Sequence, residues 1–366
     1  MSQELMYQIA LTRIPQIGDI IIKKLLETFG SAGAIFSASR YNLERTETIG
    51  SVRAAAIRQF RDFNTIEKEI TFIERYHIRP LFYTDKDYPE RLRHCIDSPA
   101  MLYYKGNASL NPPRIVNVVG TRHPSGYGRQ VCVQLVKELT EAGITLVSGL
   151  AYGIDIMAHR TALEMGIPTV GVLAHGLDRI YPALHKETAI RMTEQGGLLT
   201  EFLSGTGPDR QNFPRRNRIV AGLCDATIVV ESGIQGGSLI TADLANGYNR
   251  DVFCIPGRVH DIHAAGCNHL IKNNKAMLIT DAADVIEVMG WQKAAGVAAV
   301  MQRTLFPDLT EAEKLIVDLF SRKSPLHLEE LYLQSHLSGS QVAAALFNLE
   351  MQSVLKCLPG QLYELV

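Results

Sequence analysis

Residues 114–143 read RIVNVVGTRHPSGYGRQVCVQLVKELTEAG, and three signals follow one another inside them. RIVNVV is a short, nearly continuous apolar run, the pattern of a strand buried on both faces. GTRHPSGYG (120–128) is a glycine- and hydroxyl-rich turn, and RQVCVQLVKELTEAG has helical period and length. A buried strand, a glycine turn and a helix make the opening unit of a parallel α/β sheet. The alternation then repeats. TLVSGL, PTVGVLA, LLTEF, ATIVVES, DVFCIPG and AMLIT read as further strands, separated by helical stretches such as DIMAHRTALEMG. Residues 114–290 are therefore expected to form a doubly wound parallel sheet. IRPLFYTD and MLYYKG, between 78 and 110, read as short strands of a small extension leading into it.

The flanks differ in pattern. Residues 1–77 carry apolar positions at helical spacing, punctuated by Gly18, Gly30, Gly33 and Gly50. IPQIGDIIIKKLLETFG (14–30) and ETIGSVRAAAIRQF (47–60) each place an apolar-Gly turn before a helix, as in a helix-hairpin-helix or SAM-like all-α domain. Such turns present backbone N–H groups to phosphate; a plain helical bundle reads equally well. Residues 291–308 are Ala/Gly-rich and weakly patterned, and read as a linker. Residues 309–366 give three helix signals and then two short strands, the order of a winged helix. Thr310 and Glu313 form a capping-box pattern at its start. No Lys or Arg falls between 338 and 350, so a structural or protein-interaction role is expected for this module rather than DNA reading.

Bulk properties narrow the classes. A chain of 366 residues that is 46% hydrophobic can bury two or three cores. No apolar run reaches the ~18 residues that span a bilayer, and MSQELMYQIALTRIPQIG lacks the apolar core of a secretory signal. Cys95, Cys132, Cys224, Cys254, Cys267 and Cys357 include no CxxC pair and read as reduced thiols, which points to the cytoplasm. The formal net charge of −1 offers no general support for gripping duplex DNA. Any polyanion site must be local.

Ligands of an open α/β sheet bind outside the carboxyl ends of its strands, so the residues after each strand spell the site. They are GTRHPSGYG, SGLAYGID (148–155), HGLD (175–178), EFLSGTGPDRQNFPRRNR (201–218) and ESGIQGGSLITA (231–242). Glycines that let N–H groups approach, helix N-termini and arginine forks together suit phosphate. Neither GxGxxG nor GxxxxGK[ST] occurs. Asp155 and His159, at i and i+4, read as local helix stabilisation. His260, His263, Cys267 and His269 fit no common structural zinc spacing. No nucleophile, base and oxyanion set assembles, so no catalytic residue, metal or cofactor is expected.

VGTRHPSGYG, SGLAYGIDIMAHRTAL, GGLLTEF, FPRRNRIVAGL, VVESGIQGGSLITADLANGYNRDVFCIPG and GCNHLIKN, in that order, resemble the DNA-processing protein A (DprA/Smf) family. DKDYPERLRHCIDSPAMLYYKG, upstream, resembles that family's run into the same domain. The resemblance implies an extended Rossmann-like domain over 78–290 and a non-enzymatic protein that binds and protects single-stranded DNA. It also implies loading of the RecA recombinase during natural transformation and a homodimeric state. It assigns the DNA site to Gly120, Thr121, Arg122, Ser125 and Gly126 of the first motif, with Ser148 and Gly149 of the second. Phe213, Arg215, Asn217 and Arg218 follow from the FPRRNR segment, and Gly236, Gly237 and Ser238 from the last glycine turn. Within FPRRNR, the head reads as a loop aimed at the crevice and IVAGL as the helix. Arg216 either holds a carboxylate such as Glu201 or faces water. Phe213, Tyr127, Tyr152 and His123 are candidates for base contact.

Two other readings compete. The same sheet variant resembles nucleotide phosphoribohydrolases of the lysine-decarboxylase-like group; there Glu231 or Glu201 would be catalytic on a nucleoside monophosphate. A pure adaptor, whose central domain only dimerises, is the third.

Overall fold

The computed structural model describes residues 3–291, 309–320, 325–351, 354–358 and 362–365. These fall into two units divided between Lys293 and Ala294. The expected linker lies outside the described residues apart from Trp291, which is buried against the sheet's helices.

The first unit opens with α1 (Gln3–Leu11), α2 (Asp19–Phe29), α3 (Ala32–Ser37), α4 (Arg40–Arg45), α5 (Gly50–Gln59) and α6 (Phe63–Arg75). Ser31 and Ser39 accept the Ala34 and Asn42 N–H groups and so cap α3 and α4. Gly30 ends α2 at φ +81, in the left-handed region where a side chain would be strained. The apolar faces of these helices share a core with Phe82, Met101 and Tyr103 of the first two strands. Two carboxylates extend that contact: half-buried Asp19 accepts the Ala100 N–H at 2.8 Å, and buried Glu69 accepts the Ser204 N–H at 3.1 Å.

The sheet then builds in chain order. β1 (Arg79–Phe82), α7 (Glu90–Arg93) and β2 (Met101–Gly106) precede β3 (Ile115–Val119), α8 (Gly126–Leu139) and β4 (Thr145–Ser148). Next come α9 (Ile154–Glu164), β5 (Thr169–Val172), α10 (Lys186–Gln195), β6 (Gly196–Thr200) and α11 (Asn212–Leu223). β7 (Ala226–Val229), α12 (Gly237–Gly247), β8 (Asp251–Cys254), α13 (Ala265–Lys272), β9 (Met277–Leu278) and α14 (Ala282–Val288) complete it.

Nine strands lie in the order β1-β2-β6-β5-β4-β3-β7-β8-β9. From β6 to β9 all neighbours are parallel, while β2 runs antiparallel to β6 and β1 antiparallel to β2. The expected extension is thus two more strands of the same, mostly parallel sheet. β3 to β7 are buried along their whole length, as continuous apolar runs require. After β3 the chain winds outward through β4, β5 and β6. It then returns to lay β7 on the other side of β3. The switch point is therefore at the carboxyl ends of β3, β4 and β7.

The second unit comprises α15 (Glu311–Phe320), β10 (Leu326–His327), α16 (Leu328–Ser335), α17 (Gly339–Met351), β11 (Leu355–Leu358) and β12 (Leu362–Leu365). Its strands order as β10-β12-β11, all antiparallel, one strand more than the sequence pattern suggests. The capping box forms in both directions. The Thr310 N–H reaches the Glu313 carboxylate at 2.8 Å, and the Glu313 N–H reaches Thr310 Oγ1 at 3.3 Å. Ile316, Phe320, Leu331, Val342, Leu346 and Leu349 close its core. No helix among the described residues is long and apolar enough to cross a membrane.

Candidate nucleic-acid interface

At the switch point the strand-end turns enclose a cavity of about 310 Å³. The turns fit together because glycines let backbones touch. A Cβ on Gly120 would lie 2.6 Å from the Ile154 side chain and 2.9 Å from the Glu231 carbonyl. Its absence lets the Thr121 N–H reach that carbonyl at 2.7 Å. Gly153 sits at φ +81, and a Cβ there would meet the Thr121 carbonyl at 2.2 Å. The Ile154 N–H donates to the same oxygen. The 120–122 turn is thereby locked onto the start of α9. Across the cavity, Gly236 precedes α12, and Ser238 Oγ donates to Ser232 Oγ at 2.8 Å.

Of the residues assigned from the sequence, Gly120, Thr121, Arg122, Gly149, Phe213, Asn217, Gly236, Gly237 and Ser238 line this one cavity. Ser125, Gly126, Ser148, Arg215 and Arg218 do not. Ser125 caps α8, accepting the Gly128 N–H at 3.0 Å, and its own N–H and hydroxyl donate to Glu231 at 2.8 and 2.6 Å. Gly126 is the first residue of that helix. Ser148 is buried and donates to the Val118 carbonyl at 2.7 Å.

The FPRRNR segment is not a loop. It lies within α11, which begins at Asn212, so its side chains are sorted by helical spacing. Phe213, Arg216, Asn217 and Val220 face the cavity. Arg215 and Arg218 leave on another face, where their Nη2 atoms reach Glu201 Oε2 at 3.1 and 2.6 Å. Arg218 also pairs with Asp19 of α2 at 3.2 Å. Burial opposes the Arg218 charge, but Glu201 and then Asp19 outweigh it and hold its pKa above the usual arginine value. The carboxylate expected for Arg216 is thus held by its two neighbours.

Arg216 is instead 5% exposed. Its Nη1 donates to the Gly149 and Val172 carbonyls, and its Nε to Asn217 Oδ1 at 3.1 Å. The guanidinium lies flat against Gly149, where a Cβ would fall 2.2 to 2.5 Å from its atoms. Asp155 also lines the cavity and accepts the Gly149 and Ala151 N–H groups at 3.2 and 3.4 Å. Burial raises the Asp155 pKa, while Arg216 pulls it back down. His159 turns from Asp155 to Thr169 at 2.7 Å. Burial, then the charge of Arg216, lowers its pKa to about 3. The Asp155–His159 spacing therefore serves two separate contacts rather than one pair.

Leu150, between these anchors, adopts φ +58, a costly conformation for a branched side chain. His185 Nδ1 bonds its carbonyl at 2.9 Å. Arg122 stands over the Phe213 ring at 5.6 Å, and Tyr181 meets the same ring edge-on at 6.3 Å. Tyr152 and Tyr181 line a smaller adjoining cavity that shares Arg122, Gly149 and Phe213 with the first. His123 lines the main cavity, whereas Tyr127 lies beside Ser125 and Glu231 outside it. Arg216, Asp155 and Tyr181 are cavity residues that sequence reasoning did not assign. Helical spacing from Phe213 is the signal that points to Arg216.

Glu231 and Glu201 both lie off the cavity lining, the first tied to Ser125 and the second to Arg215 and Arg218. Of the histidine- and cysteine-rich stretch, Cys267 is buried with its thiol on the Val229 carbonyl, and His260, His263 and His269 are exposed. Among the described residues no three His, Cys, Asp or Glu side chains group to hold a metal.

The family model described as DNA recombination-mediator protein A matches residues 79–290, and that of the DprA winged helix domain matches 303–361. A Bacillus subtilis protein called DNA processing protein DprA is 35% identical over 75% of this chain and 93% of its own length. A Synechocystis protein called Smf is 34% identical over 76% and 71%. The crystal structure of DprA from Streptococcus pneumoniae superposes with a TM-score of 0.67 at 33% identity, covering 77% of this chain and 97% of that one. A Helicobacter pylori DprA structure, described for its single-stranded DNA binding mode, gives a TM-score of 0.53 at 30% identity, covering 58% and 95%. The chain belongs to the DprA/Smf family of DNA-processing recombination mediators.

Proposed function

We propose that this protein is a non-enzymatic binder of single-stranded DNA, with the switch-point cavity as its phosphate site. One observation carries the reading: the cavity is lined by backbone-presenting glycines, the start of α12, Arg122 and Arg216. Single strands need such a local positive groove and a stacking surface, and they tolerate a near-neutral protein. Phe213, Tyr152 and His123 supply that surface. Gly120, Thr121, Arg122, Gly149, Asn217, Gly236, Gly237 and Ser238 form the phosphate cradle. Ser125, Gly126 and Ser148 shape it from behind; Arg215 and Arg218, on another face of α11, act through Glu201. The Helicobacter pylori relative, described for its single-stranded DNA binding mode, supports single-stranded DNA as the ligand class. Family membership supports the further roles: protecting incoming DNA in the cytoplasm, loading RecA during natural transformation, and acting as a homodimer.

The test is a salt-dependent titration with oligo-dT and duplex DNA side by side. Oligo-dT should bind at about micromolar affinity or better, weaken with salt and outcompete duplex. Arg122→Ala should lower the affinity by about 1–3 kcal/mol, the scale of a lost charge-assisted contact. Equal or tighter duplex binding contradicts the proposal. Release of free base from nucleoside monophosphates would instead favour the hydrolase reading, in which Glu231 or Glu201 acts.

A further inference from the structure

We infer that Arg216 supplies the buried positive charge that holds one phosphate of the bound strand, and that Asp155 tunes the strength of that hold. This rests on the single-strand reading of the cavity and adds the residue that sets its affinity. The geometry separates Arg216 from its neighbours. Arg218 has two carboxylates within 3.2 Å. Arg216 is more deeply buried, yet no carboxylate among the described residues lies within 4.0 Å of it. Its Nη1 and Nε are used on two carbonyls and the Asn217 side chain. Its Nη2 makes no hydrogen bond among the described residues, and the residue lines the cavity.

Asp155 stabilises the Arg216 charge only from beyond ion-pair distance, and a buried guanidinium so incompletely paired is costly unless an anion completes it. A phosphate in the cavity would do so with a fork-like contact that lysine cannot reproduce in full. The second observation is the wall behind it. Leu150 at φ +58 is held in place by His185, Asp155 binds the N–H groups of Gly149 and Ala151, and Gly149 leaves room for the guanidinium. Strain held this firmly is what a preorganised ligand site stores. Asp155 has the opposite sign to Arg216 on the same cavity, so it opposes an anionic ligand while shaping the wall.

The experiment measures oligo-dT affinity against salt for the full chain and for Arg216→Gln, Arg216→Lys and Asp155→Asn. Removing the charge in Arg216→Gln should weaken binding by about ten-fold or more. It should also reduce the slope of log affinity against log salt by about 0.7, the single-strand value for one neutralised phosphate. Arg216→Lys should keep the slope and recover part of the affinity. Asp155→Asn should tighten binding by about three-fold, because one like charge leaves the site. A folded Arg216→Gln protein that binds more weakly with an unchanged salt slope overturns the inference and leaves Arg216 a purely structural clamp. If Arg216→Gln fails to fold, Asp155→Asn decides: weaker or unchanged binding overturns it. Failure of the unaltered protein to bind oligo-dT would overturn the single-strand reading itself.

Discussion

Replacing Gly149 by alanine should unseat Arg216. The new methyl carbon would sit 2.2 Å from Nη1, 2.4 Å from Nη2 and 2.5 Å from Cζ, inside any tolerable contact, so one partner must move. Gly149 is pinned by its N–H to Asp155, which leaves the guanidinium to give way. It can do so only by releasing the Gly149 and Val172 carbonyls. Hydrogen bonds to a charged group are worth about 1.5–3 kcal/mol each. Allowing one to re-form elsewhere, the substitution should cost about 1.5–3 kcal/mol. For a unit of this size that corresponds to a fall in Tm of about 2–5 °C. Thermal unfolding of Gly149→Ala, Arg216→Ala and the double variant checks the reasoning. Because both changes remove the same contact, the double variant should be little worse than Arg216→Ala alone. Additivity to within about 0.5 kcal/mol, or an unchanged Tm for Gly149→Ala, would refute the account of the cavity wall.

Arg218→Met should leave Glu201 buried without its best partner and cost about 3–5 kcal/mol in urea unfolding, with Glu201→Gln in the same chain recovering much of it. Unaltered stability would mean that the Asp19–Arg218–Glu201 link does not hold α11 to the N-terminal helices. The buried His159 ring, with a pKa near 3, stays neutral in the fold while the unfolded chain takes up its proton below about pH 6.5. Stability is therefore complete above pH 6.5 and declines as the pH falls, by about 2 kcal/mol at pH 5 from this residue alone. Burial shifts His175 and His185 in the same direction. Equal unfolding free energies at pH 7 and pH 5 would exclude a buried neutral His159. Deleting residues 309–366 should leave oligo-dT affinity unchanged in a protein that remains folded; a collapse of binding would place the winged helix in the DNA site.

Local pattern carried much of this structure. The apolar runs at 115–119, 145–148, 169–172 and 226–229 read as strands buried on both faces, and all four are wholly buried strands. The Thr310–Glu313 box specifies its helix start within four residues, and both of its hydrogen bonds form. The glycine turns after β3 and β7 likewise announce a strand-end site. The membership of β1 and β2 in the main sheet was less legible, because β2 pairs with β6 across some ninety residues of chain. No local signal encodes such a partner. Within FPRRNR, composition marks a cationic cluster but does not say which arginine points where.

By itself, then, the sequence determined the alternation of strands and helices, the strand-end glycines and the membership of the family. Each depends on residues close together in the chain. Only the tertiary structure decided which guanidinium faces the cavity. That choice turns on the roughly 100° step between successive helix residues and on partners far away in sequence. Glu201 and Asp19 take Arg215 and Arg218, while the space beside Gly149 admits Arg216. Three arginines of one chemical type received different roles because packing, rather than side-chain chemistry, assigned their partners.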